Sequence, residues 1–78
     1  MIAIVDYGMG NLFSIYNALN RVDASLKIVN DPEELSLANA DGIVIPGVGA
    51  FGRCMDRLSR FEGALLKAFL EGRKLINA

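Results

Sequence analysis

Ile2-Ala3-Ile4-Val5-Asp6-Tyr7-Gly8-Met9-Gly10-Asn11-Leu12 stands near the start of the chain, and its reading decides the fold. The first four residues are a continuous, β-branched apolar run, the pattern of a strand buried on both faces of a parallel sheet. Asp6 and the two glycines end that run. Leu12, Ile15, Tyr16, Leu19 and Val22 then recur at helical spacing. The stretch therefore predicts a strand, a glycine-punctuated turn and a helix from about Asn11 to Arg21.

The same alternation continues downstream. Leu26, Ile28 and Val29 form a second short strand, ended by Asn30-Asp31-Pro32. Asp31 is placed to cap a helix whose first residue is Pro32, and Glu34 stands three residues after it, as a capping box requires. That helix should end near Leu37 to Asn39. Ile43-Val44-Ile45 reads as a third buried strand, and Pro46 to Gly52 is too rich in glycine for regular structure. Helical sequence follows from about Arg53. Phe61 to Glu71 is the clearest later helix, with Leu65, Leu66, Phe69 and Leu70 as its expected apolar face and Gly72 as its stop. Leu75-Ile76 begins a fourth strand. The order predicts an α/β layer structure: a parallel sheet of about four strands with flanking helices and right-handed crossovers. Sheets of this kind bind ligands beyond the carboxyl ends of their strands, here the loops beginning at Asp6 and Pro46.

Composition narrows the function classes. With 78 residues the chain holds one small domain, and at that length only about 60 to 65% of the unfolded surface is buried, so an efficient core or a partner is needed. Nine acidic against eight basic residues give no field that would recruit nucleic acid or an anionic membrane. An apolar fraction of 53% with a net charge of −1 argues against disorder. Cys54 is the one cysteine and there is no histidine, so an intramolecular disulfide, a zinc site or any other metal centre has no support, and no cofactor is expected. The first residues lack the basic flank and long apolar core of a secretory signal, and no apolar stretch approaches the ~20 residues needed to span a bilayer. A cytoplasmic protein is the expectation.

Two loops carry the candidate chemistry. Gly8-Met9-Gly10 opening a helix offers bare amides to an anion. A dinucleotide fingerprint would place a third glycine where Phe13 stands and an acidic residue at the end of the second strand, and neither is present. A tight strand-to-helix turn explains the same glycines. In the second loop Pro46 fixes one backbone angle, while Gly47 and Gly49 flank Val48 and accept angles that other residues disfavour. Such a segment can present amide N–H groups to a ligand, as an oxyanion site requires, or it can be a plain connection. Asn11 suits helix capping and Ser14 a solvent-facing position. Tyr7 reads equally as a loop anchor or an interface contact. Arg53, Arg57 and Arg60 recur at helical spacing, with Asp56 and Glu62 among them, and read as a solvated helix face or as a stripe toward an acidic partner or a phosphate. Cys54, in expected helix with no histidine to activate it, reads as a small packed residue rather than a nucleophile. Asp23, Asp41 and Glu71, at element ends, are assigned solubility alone.

Asp6-Tyr7-Gly8-Met9-Gly10-Asn11-Leu12, followed about thirty-five residues later by Ile45-Pro46-Gly47-Val48-Gly49-Ala50-Phe51-Gly52, resembles the N-terminal part of the glutaminase subunits of imidazole glycerol phosphate synthase. These are class I glutamine amidotransferases of histidine biosynthesis. The likeness runs from Met1 to about Ile76, and other class I amidotransferases tend to carry a Pro-Gly-Gly form of the second loop. The resemblance implies a flavodoxin-like half-domain, residues 1–78 forming one partial α/β domain. It implies hydrolysis of glutamine and delivery of ammonia to a (βα)8-barrel cyclase partner, with Gly47, Val48 and Gly49 as the oxyanion strand. Asn11 and Ser14 match positions facing the cyclase. The family's nucleophilic cysteine follows the strand that begins here at about Lys74, in a Gly-x-Cys-x-Gly turn, with the histidine and glutamate much later. None of the three is in this sequence, and Asn77-Ala78 depart from the family pattern. The resemblance thus implies a piece cut before its nucleophile, inactive alone, whose uncovered edge and apolar surface favour a homo-oligomer, a dimer in the simplest case. A self-associating structural module without catalytic activity is the alternative.

Overall fold

The computed structural model describes residues 1–8, 10–22, 25–47 and 55–77, and for residues 55 and 56 the backbone alone. Met9, Val48, Gly49, Arg53 and Cys54 lie outside the described residues. The elements run β1 (Ile2–Val5), α1 (Leu12–Asn20), β2 (Leu26–Val29), α2 (Pro32–Ala38), β3 (Gly42–Ile45), α3 (Met55–Leu58), a 3₁₀ turn (Ser59–Phe61), α4 (Glu62–Leu70) and β4 (Lys74–Asn77). All strand pairs are parallel, and the order across the sheet is β2-β1-β3-β4.

Register places Ala3 beside Lys27 and Ile43, and Ile4 beside Ile28 and Val44. Successive side chains point to opposite faces, so Ala3, Val5, Val29, Ile43 and Ile45 share one face and join a buried cluster with Leu35, Phe61 and Ala68. The other face carries Ile4, Ile28, Val44 and Ile76, with Ile15, Ala18 and Leu19 of α1 beside Val44 and Ile76. Ile4 and Val44 are buried there, whereas Ile28 and Ile76 keep 43% and 42% of their surface. One face is thus covered by α2, the 3₁₀ turn and α4, and the other by α1, which has no buried residue of its own.

Helix ends follow the sequence signals with one exception. Asn11 caps α1: its Oδ1 accepts the Ser14 amide at 3.1 Å. Gly72 stops α4 at φ +83°; its amide donates to the Phe69 carbonyl and that of Arg73 to the Ala68 carbonyl, each at 3.0 Å, a Schellman closure. Asp31 stands at the N-cap of α2, but its side chain makes no capping hydrogen bond, so that half of the expected capping box is not formed. Pro32 supplies no N–H at the first helical position, which leaves fewer donors for Asp31 to satisfy.

The expected face of α4 also needs correction. Phe61, Ala64, Leu65 and Ala68 turn inward, at the i, i+3, i+4, i+7 spacing of a single stripe. Leu66, Phe69 and Leu70 are exposed. The helix carries two apolar stripes, and the one with the small residues wins because Ala64 and Ala68 let the helix approach the sheet closely around the fully buried Phe61.

Candidate functional site

In the order β2-β1-β3-β4 the chain leaves β1 in one direction toward β2 and in the other toward β3, so the topological switch point lies between β1 and β3. The loops leaving those two strands at their carboxyl ends are the glycine-rich ones. The structure brings them into contact. The Tyr7 hydroxyl donates to the Pro46 carbonyl oxygen, linking the end of the first loop's strand to the start of the second. Tyr7 is 4% exposed, so it is the loop anchor of the two expectations and not an interface contact.

Gly10 makes the second contact. It sits at φ +83°, and a Cβ built there would lie 2.6 Å from Pro46 Cβ, 3.0 Å from Pro46 C and 3.1 Å from Gly47 N. Any larger residue would both strain its own backbone and push against the Pro46–Gly47 peptide. Gly47 is itself in the left-handed region, at φ +68°. Gly8 is too, at φ +87°, its amide donating to Asp6 Oδ1 at 3.2 Å. The glycines of the first loop therefore serve a tight turn and a close backbone approach.

Asn11 and Ser14 lie exposed at the start of α1, on the same side of the sheet as these loops. Of the residues that the resemblance implies as an oxyanion strand, Gly47 follows β3 next to the switch point; Val48 and Gly49 lie outside the described residues, as does Cys54.

Two arginines contribute more than the sequence pattern suggested. The Arg57 guanidinium donates to the Gly8 carbonyl at 3.3 Å and that of Arg60 to the Asn30 carbonyl at 3.0 Å, so each reaches a loop at the carboxyl end of a strand. Arg60 also lies over the Phe61 ring, 5.5 Å from its centroid. With Asp6, Tyr7 and Asn30 they line an open cleft of about 520 Å³ between the ends of β1 and β2. Helical spacing gave the stripe, but which carbonyls it meets depends on the crossover from β3 and was not readable locally.

Among the described residues no group of three or more Cys, Asp or Glu side chains is placed to hold a metal ion, and no helix is long and apolar enough to cross a membrane.

The chain is similar along nearly its whole length to proteins named imidazole glycerol phosphate synthase subunit HisH. It is 51% identical over 74 residues to the one from Halobacterium salinarum, covering 95% of this chain and 33% of the relative. It is 43% identical over 76 residues to that of Methanothermobacter thermautotrophicus, 97% of this chain and 37% of the relative. With the Bacillus subtilis subunit it shares 42% over 78 residues, 97% of this chain and 36% of the relative. The matched portion corresponds to an N-terminal fragment of the HisH proteins. Its parallel four-stranded sheet with flanking helices fits the flavodoxin-like α/β fold of class I amidotransferases. The chain spans about a third of the length of these HisH relatives. No family model and no solved structure matches it.

Proposed function

We propose that these residues are the N-terminal part of a glutaminase, with the loop from Pro46 supplying backbone amides to the oxyanion formed when a glutamine carboxamide is attacked. The observation that supports this is the meeting, at the β1/β3 switch point, of the two loops whose sequences carry the HisH likeness. In such a reaction a thiolate adds to the carboxamide carbon, negative charge gathers on oxygen, and ammonia leaves as the tetrahedral species collapses. Donors fixed before the charge develops are worth about 10² to 10³ in rate apiece. Gly47, Val48 and Gly49 are the residues assigned to that task. Residues 1–78 act as one partial α/β domain in the cytoplasm.

The 78 residues contain neither a histidine to activate a thiol nor the Gly-x-Cys-x-Gly turn of the family's nucleophile, so the chain by itself is inactive toward glutamine. Its partner in this reading is a (βα)8-barrel cyclase that receives the ammonia, met through Asn11 and Ser14. The test is direct: the purified chain yields no ammonia from glutamine above background but binds a HisF-type cyclase, and Asn11→Ala weakens that binding. Turnover that survives Cys54→Ala would overturn the assignment of inactivity, and absence of cyclase binding would overturn the interface.

Self-association is the second reading. It is favoured by β4, exposed along its whole length, and by Ile28 and Ile76 on the thinly covered face.

A further inference from the structure

We propose that Tyr7 is a positioning residue whose hydroxyl sets which way the Pro46–Gly47 peptide faces, and with it the direction of the Gly47 amide. The inference rests on the oxyanion reading of this loop and names the group that would hold its first donor.

A peptide plane turns by rotation about the two torsions that flank it, ψ of the first residue and φ of the second. The pyrrolidine ring fixes φ of Pro46 but leaves its ψ free. Gly47 lacks the Cβ that would restrict its φ, and it sits at +68°. The Pro46–Gly47 peptide is therefore little restrained by its own residues. An amide donor is useful to a developing oxyanion only if its direction is fixed beforehand.

The first loop supplies the restraint. In a trans peptide the carbonyl and the N–H point opposite ways, and no cis peptide occurs among the described residues. By donating to the Pro46 oxygen, Tyr7 draws the carbonyl inward and turns the Gly47 N–H to the opposite side. Tyr7 itself is buried in the core cluster two residues past β1, so the phenol is anchored by the packing around it. Gly10 adds a second contact: its missing Cβ is what lets its backbone lie close to Pro46 C and Gly47 N. A turn of the peptide would have to break the phenol bond and displace that contact together.

The experiment is nuclear magnetic resonance on the 78-residue chain, labelled with ¹³C and ¹⁵N, for wild type, Tyr7→Phe and, as control, Tyr16→Phe. Tyr7→Phe is expected to move the Pro46 carbonyl carbon upfield and to add a second Gly47 amide resonance, while Ile4 and Val44 amides stay in place. Tyr16→Phe leaves Pro46 and Gly47 unchanged. If Tyr7→Phe does not fold, 3-fluorotyrosine at position 7, a stronger donor of the same shape, shifts the Pro46 carbonyl carbon downfield. An unmoved Pro46 carbonyl, or strand amides that move as much as Gly47, overturns the proposal. The glutaminase reading fails separately, through absent cyclase binding, so the two failures are told apart.

Discussion

The two faces of this sheet are built from the same strands and covered unequally. On one side α2, the 3₁₀ turn and α4 bury Phe61, Leu35 and Ala68 against Ala3, Val5, Val29 and Ile43. On the other, among the described residues, α1 alone lies over Ile4 and Val44, and Ile28 and Ile76 are about half open. Alternation along parallel strands makes both faces equally apolar, so the strands do not decide the difference. It comes from how many helices each crossover deposits on each side. Two of the three crossovers in this chain return on the Phe61 face. The structural strength of the molecule is therefore one-sided.

The sharpest way to break that comparison is a pair of truncations, one per face. Phe61→Ala removes a fully buried ring from the thicker side and should cost about 3 to 5 kcal/mol, enough to unfold a domain of this size. Ile15→Ala on the thinner side leaves a site already partly wet and should cost about 1 kcal/mol. Urea unfolding followed by circular dichroism measures both. Equal losses would mean that the two faces are equally packed.

A smaller effect is expected at the open edge. Ile76→Lys places a charge on the thinly covered face of the edge strand β4, and it should lower the weight-average mass in sedimentation at high concentration without reducing helicity. A mass that does not depend on concentration in the unsubstituted chain would remove self-association as a reading.

The smallest effect concerns pH. The N-terminal ammonium donates to Asp41 Oδ2 at 2.8 Å, and this hydrogen bond, then its charge, holds the Asp41 carboxyl below the usual carboxylate range. A lowered value in the folded state means the stabilisation is present above the ordinary aspartate value and is lost as pH falls through the lowered one. The pair is exposed, so the shift in midpoint should be slight. Asp41→Asn should flatten the melting-temperature profile on the acid side of the ordinary aspartate value relative to the parent.

The four strands, their parallel sense and the glycine loops at their carboxyl ends were legible in the sequence, because short β-branched runs ended by glycine or proline have few other readings. The inward face of α4 was not. Leu66, Phe69 and Leu70 outweigh Ala64 and Ala68 in hydrophobicity, and the better fit of small residues against the sheet appears only with packing. At the site, the capping role of Asn11 was legible, because an Asn just before an apolar helical run has its side-chain oxygen within reach of the first-turn amides. The role of Tyr7 could not be read in advance, since a phenol suits a surface and an anchor equally, and its partner Pro46 is thirty-nine residues away. The same holds for Arg57 and Arg60, whose acceptors belong to other loops.

At the amino-terminal ends of the strands, opposite the glycine loops, Asp41 joins the entrances of three strands. Its amide donates to the Met1 carbonyl at 2.9 Å and its carbonyl accepts the Lys74 amide at 3.2 Å, while Arg73 next to it donates to the Ala40 carbonyl at 2.6 Å and to Asn39. The Met1 and Arg73 contacts close sequence loops of 40 and 33 residues. Loop-closure entropy has to be met before any of these bonds exists, whereas α1 and α4 form from neighbours in the chain. The glycine-loop end bears the same cost, since the Tyr7–Pro46 and Arg57–Gly8 hydrogen bonds close 39 and 49 residues, so both ends of the sheet wait on distant parts of the chain.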